Sequence, residues 1–187
     1  MSTAVKLQNN RYYTYADCLN WSEDYRAEII DGEVYEMAPP VTKHQEILMA
    51  LLMILGNFVR GKSYKVFPAP FGVRLKPKND LSDSILLEPD IAVICDLSKL
   101  DEQGCNGAPD MIIEILSPST ASKDRVLKFR KYCEAGVREY WIIDPESNSV
   151  QTCVLENGRY VVSVFEKHET APVTILPGLE VNLSDIF

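Results

Sequence analysis

The chain has 187 residues, 46% hydrophobic and 25% charged, with a formal net charge of −8. That length fits one domain with its own core, or one domain with a small appendage, and the composition argues against a disordered chain. The acidic balance counts against a protein that coats nucleic acid by charge alone; it leaves room for a nuclease, where a local basic strip and a metal ion offset phosphate charge.

Five scattered cysteines (Cys18, Cys95, Cys105, Cys133, Cys153) form no C-x-x-C pair, which argues against a disulfide framework or a zinc knuckle. With an N-terminus lacking a secretory apolar core, they set the expectation of a reducing, cytoplasmic compartment. The longest apolar run, 47–55, is far short of a membrane span, so no membrane partner is expected.

In chain order, residues 15–25 carry apolar positions near helical spacing and predict a short helix. Residues 25–37 read as a hairpin turning at Asp31-Gly32. Thr42 is placed to cap a long helix over 44–59, apolar on most of its faces and so deep in the fold. A strand over 64–75 is broken at Pro68-Ala69-Pro70, and 77–83 is a polar loop. Two short apolar runs, 85–87 and 91–95, flank Glu88-Pro89-Asp90, and 98–107 is another loop. Residues 111–116 form a buried strand, 117–120 a turn, and 122–135 an amphipathic helix closed by Gly136. A core strand over 139–144 stops at Pro145. A last hairpin pairs 150–155 with 160–165 around Asn157-Gly158, and the tail 177–187 packs as an edge. Strand, helix and strand over 111–144 fit a βαβ crossover, and the flanking hairpins make one central sheet mixed. The class is α/β (α+β).

Two carboxylates stand out. Asp90 directly precedes one apolar run, and Glu114 lies inside another. Buried strands rarely keep an acid unless it is paired or holds a metal, because an unpartnered buried glutamate costs roughly several kcal/mol. Adjacent strands would aim both at one point, a site for a hard divalent cation and for metal-assisted hydrolysis. The carbonyl of Ile115 would add a third oxygen. Asp110 is a rival for Asp90, but at about 3.3 Å per residue it would lie roughly 13 Å from Glu114 along one strand, too far to share an ion. The chemistry also needs a positive group against phosphate charge. Asp124, Lys128 and Tyr132 share one helical face by i, i+4, i+8 spacing. On spacing alone Lys128 is either one of several solvated cations beside Lys123, Arg125, Arg130 and Lys131, or a group turned back over the carboxylates.

Several segments together resemble the Uma-two family of the restriction-endonuclease-like PD-(D/E)XK superfamily. They are YRAEIIDGE at 25–33, His44, PFGVRL at 70–75, Glu88-Pro89-Asp90, PDMIIEILSPST at 109–120, Asp124 with Lys128 and Tyr132, and AGVREYWIIDP at 135–145. The resemblance implies a single restriction-endonuclease-like domain over 1–187. Its mixed central sheet is flanked by helices, with a helix and hairpin at about 12–40, a catalytic core at about 41–147, and an added hairpin and tail at about 148–187. It implies an endonuclease acting on DNA with Mg²⁺ or Mn²⁺. Asp90 and Glu114 then match the metal-binding acids, and Glu28 an additional N-terminal acid. Leu116 stands where a lysine is usual, and Lys128 on the next helix maps to its replacement. Without the resemblance Glu28 reads as a surface strand acid. His44 is either a helix residue facing solvent or packed at the sheet edge, or a substrate contact. Arg74 either contacts phosphate or forms a structural ion pair, and Tyr132 and Trp141 read as core. A homodimer through the edge of the C-terminal hairpin is compatible with a two-fold substrate. The alternative is a non-catalytic module that keeps the fold and binds nucleic acid or protein.

Overall fold

Alternation along the strand at 111–115 organises the molecule. Met111, Ile113 and Ile115 face one apolar core, while Ile112 and Leu116 face a second, with Glu114 between them on that second side. A computed structural model describes residues 11–22, 25–117 and 121–187. Its strands are β1 (Ala27–Ile30), β2 (Glu33–Glu36), β3 (Lys65–Pro68), β4 (Val73–Arg74), β5 (Ile85–Leu87), β6 (Ile91–Ile94) and β7 (Leu100–Asp101). They continue with β8 (Gly104–Asn106), β9 (Met111–Ile115), β10 (Glu139–Asp144), β11 (Ser149–Glu156), β12 (Arg159–Glu166), β13 (Thr170–Pro172) and β14 (Glu180–Asn182). The helices are α1 (Tyr15–Cys18), α2 (Thr42–Val59) and α3 (Phe129–Ala135), the last preceded by a π-helical stretch, Lys123–Lys128.

The mixed α+β class is as expected. The main sheet runs β12-β11-β10-β9-β6-β3, with β9 and β10 parallel and their neighbours antiparallel. A correction concerns sheet number: the first hairpin does not extend this sheet. It starts a second six-stranded sheet, β2-β1-β5-β4-β8-β7. The segment read as a loop at 98–107 contributes β7 and β8 to it. Gly104 makes that possible: at φ +137°, any side chain there would collide with the Gly72 carbonyl, which accepts from the Cys105 N–H at 2.8 Å. Val41 rather than Thr42 precedes the first turn of α2. The expected turn at 117–120 lies, beyond Ser117, outside the described residues.

One face of the main sheet packs on α2 and the C-terminal tail, joining Ile47, Leu51, Leu55, Trp141, Ile143, Leu176 and Leu183. The other face packs on the 123–135 helix and the second sheet, joining Val73, Leu87, Ile112, Tyr132, Tyr140 and Ile142. Each fully buried Ile or Leu contributes about 1.5–3 kcal/mol. Glu114 therefore sits in the layer between the two sheets. Among the described residues no helix is long and apolar enough to cross a membrane.

Candidate functional site

The register of β6 against β9 places the acids. Ile91 pairs with Ile113 and Ala92 with Ile112, so the next step along the ladder sets Asp90 opposite Glu114. Directly opposed residues of antiparallel strands have Cβ atoms about 4.5–5.5 Å apart. Pro89 suits the position before a strand because it has no N–H to donate. Asp90 is fixed by the Ile115 N–H, which donates to Oδ2 at 2.7 Å, and by His44 Nε2 at 3.1 Å from the same oxygen. His44 is buried, so it does not face solvent, and its Nδ1 has no hydrogen-bond partner among the described residues.

Lys128 is 3% exposed and is not a solvated lysine. Its ammonium lies 2.7 Å from Glu114 Oε1, 2.7 Å from Glu28 Oε1 and 3.5 Å from Asp124 Oδ1. Tyr132 donates its hydroxyl to Glu114 Oε1 at 2.8 Å while its ring belongs to the core. The surface-acid reading of Glu28 is corrected too. Glu28 is fully buried in β1, accepting from Lys123 Nζ at 2.6 Å on Oε2 and from the Glu88 N–H at 3.2 Å on Oε1.

Winding of the helix contributes to this convergence. The Phe129 N–H bonds the Asp124 carbonyl five residues back, the i→i+5 pattern of a π-helix. In an α-helix, residues five apart diverge by about 140°. The wider turn instead brings Lys123 and Lys128 to the two oxygens of one glutamate.

Glu28, Glu114 and Asp124 meet Lys128, Glu28 also meets Lys123, and Asp90 stands close enough to act on Glu114 electrostatically, so four acids gather about two lysines. Burial, opposed by Lys128 and reinforced by Asp124, Asp90 and Glu28, pushes Glu114 up to about 8. Burial would also raise Glu28, but Lys128 and Lys123 outweigh it and hold that carboxyl below its ordinary range. Lys128 goes well above its ordinary value: burial opposes its charge, and Glu114, Glu28 and Asp124 override burial. A raised Glu114 and a raised Lys128 would conflict in an isolated pair. Here they agree, because two ammonium groups cannot neutralise four carboxylates and one acid keeps its proton.

The remaining sequence candidates are structural. Arg74 is buried, paired with Asp101, and lies 4.7 Å from the Tyr15 ring centroid. Asp110 accepts from the Cys95 N–H at 2.7 Å and from Arg138 at 3.2 Å, and takes no part in the cluster. Leu116 packs in the second core. Sequence reasoning missed two contributors. Tyr132 was visible as the third member of the Lys128 face but was assigned to packing alone. Lys123 carried no local signal, since its partner is 95 residues away.

As a metal site the cluster offers hard oxygen donors only. Among the described residues, hydrogen bonds to Asp90 fall on Oδ2 and those to Glu114 on Oε1, so each acid keeps a second oxygen for an ion. No group of three or more His, Cys, Asp or Glu among the described residues gathers to hold an ion. A site here would rest on two side chains plus a backbone carbonyl.

Comparison with known proteins agrees with this architecture. The Uma2 family model, described as "Putative restriction endonuclease", matches residues 13–184. A solved structure from Anabaena variabilis ATCC 29413, described as "a putative nuclease belonging to DUF820", superposes with a TM-score of 0.75 at 23% identity, covering 94% of this chain and 97% of that one. The uncharacterized protein slr1290 of Synechocystis sp. is 28% identical over 116 residues, 61% of this chain. The matched stretch spans 58% of that relative's length.

Proposed function

The chain belongs to the Uma2 family, and from that premise we propose that it is a Mg²⁺- or Mn²⁺-dependent endonuclease hydrolysing DNA phosphodiester bonds. One observation carries the reading: like charges, partly buried Asp90 beside buried Glu114 with buried Glu28 and Asp124 near, converge from four segments of the chain. Packing alone gives no reason to gather them, since buried carboxylates repel and each is costly to desolvate.

Asp90 and Glu114 would hold the ion, with the Ile115 carbonyl as a third donor. Their donor chemistry suits Mg²⁺ or Mn²⁺ rather than zinc, and an ion would displace the proton Glu114 holds, leaving the charge of four acids against two lysines for a divalent cation to offset. When bound, such an ion supplies Lewis acidity toward phosphate and a more acidic water. The chain's own residues prepare the place. The Ile115 N–H and His44 orient Asp90; Lys128 and Tyr132 hold one oxygen of Glu114 and leave the other directed elsewhere. Glu28 anchors both lysines and so acts through them.

Saturation of Lys128 by carboxylates and the packing of Leu116 favour a second reading, a non-catalytic module that binds nucleic acid or protein. Two copies paired through β12 form part of either reading, because that edge strand exposes Val161, Val162 and Val164 with no charge between Tyr160 and Phe165. The experiment that separates the readings is nicking of supercoiled plasmid in Mg²⁺ or Mn²⁺ by the wild type and by Asp90→Asn. Metal-dependent nicking by the wild type alone supports the enzyme. Equal products from both, or none from either, rejects it.

A further inference from the structure

The two lysines of the cluster differ in what they have left to give. An ammonium has three N–H donors and no acceptor. Lys128 faces three carboxylates within 3.5 Å and is 3% exposed, so meeting a phosphate would require breaking an ion pair it already has. Lys123 meets one acid among the described residues, Glu28 Oε2 at 2.6 Å, and its side chain keeps 11% exposure. Two donors remain. Its ammonium lies 5.6 Å from the Tyr35 ring centroid, which bounds its position on the hairpin side. Because Glu28 shares its oxygens between the two lysines, Lys123 is fixed one carboxylate away from the group that holds Glu114.

We propose that Lys123 is the cation that contacts a backbone phosphate of the substrate, and that Lys128 is a positioning residue holding Glu28, Glu114 and Asp124 together. The inference rests on the nuclease reading of this site and moves the phosphate-facing role from Lys128 to Lys123. It also gives the π-helical stretch a use: α-helical winding would turn Lys123 away from Glu28.

The test uses the full chain and a fluorescein-labelled DNA duplex without divalent metal, with anisotropy measured across a KCl series. Each neutralised phosphate contributes about 0.9 to the slope of log K against log salt. Lys123→Gln is expected to lower that slope by about 0.9 and to weaken binding roughly eightfold at 0.1 M salt. Lys123→Arg, which retains the charge, keeps the wild-type slope and guards against a merely structural loss. Plasmid nicking in Mg²⁺ by the same proteins, expected to fall in Lys123→Gln, completes the set. A wild type that binds and nicks, with an unchanged slope in Lys123→Gln, overturns the role of Lys123 and leaves the nuclease reading intact. A wild type that neither binds nor nicks overturns both.

Discussion

Lys128 and Tyr132, four residues apart on one helix, reach the same oxygen of Glu114, at 2.7 and 2.8 Å. The helix thereby clamps a strand acid from one side, and the strand register presents Asp90 to it from the other. The arrangement works as a unit, so removing a member exposes the cost of the rest.

Lys128→Met removes the charge that three buried carboxylates share. Breaking a buried pair typically costs about 3–5 kcal/mol. For a domain of this size that is a fall of roughly 6–20 °C in Tm, measurable by scanning calorimetry in EDTA.

Tyr132→Phe keeps the ring in the core and removes only the hydroxyl. The expected loss is about 0.5–1.5 kcal/mol, the range for a hydrogen bond to a neutral carboxyl, read from chemical denaturation at neutral pH. Tyr132→Ala, which also opens a cavity, should cost about 3–5 kcal/mol. Equal losses in the two variants would mean that the hydroxyl contributes all of the effect and the ring nothing.

Stability of the metal-free protein should depend on pH with opposite signs at two acids. Glu114 is raised to about 8 from an ordinary 4.5, so the folded state holds its proton more tightly. Its contribution is full below about pH 4.5 and is lost as pH rises through about 8. Glu28 is lowered, so its contribution is present above about pH 4.5 and is lost as pH falls through its depressed value. Glu114→Gln should flatten the decline between about pH 5 and 8, and Glu28→Gln should blunt the acid limb. A Tm that rises between pH 5 and 8 in EDTA would contradict this assignment.

Asp110 provides the control for Asp90. Its carboxylate bonds the Cys95 N–H and Arg138, so Asp110→Asn should cost about 1–3 kcal/mol of stability and leave metal affinity unchanged. Light scattering tests the proposed β12 pairing independently: the wild type is expected to scatter as a dimer and Val162→Lys as a monomer.

Much of this site was legible before the fold. Asp90 and Glu114 could be read because acids beside or within apolar runs demand a partner, and the rejection of Asp110 followed from strand geometry. Four-residue spacing put Lys128 and Tyr132 on one helical face, but it left Lys128 open between solvent and the carboxylates and Tyr132 read as core; the family resemblance is what pointed to Lys128. What could not be read depends on contacts between distant segments. Glu28 becomes a buried anchor because the first hairpin forms a second sheet over the helix, and no local pattern in 25–37 distinguishes that from extension of the first. Lys123 joins the cluster through a π turn, which α-helical spacing assigns to another face. His44 resembles any first-turn helix residue until Asp90 is seen 3.1 Å away.

The central claim is that Asp90 and Glu114 form one divalent-cation site, and calorimetric titration of Mg²⁺ and Mn²⁺ into the wild type, Asp90→Asn and Glu114→Gln tests it most directly. The account predicts saturable binding near one ion per chain in the wild type, lost in both variants while their Tm in EDTA shows them folded. Binding that survives in both variants, or a wild type that takes up no ion, would contradict it.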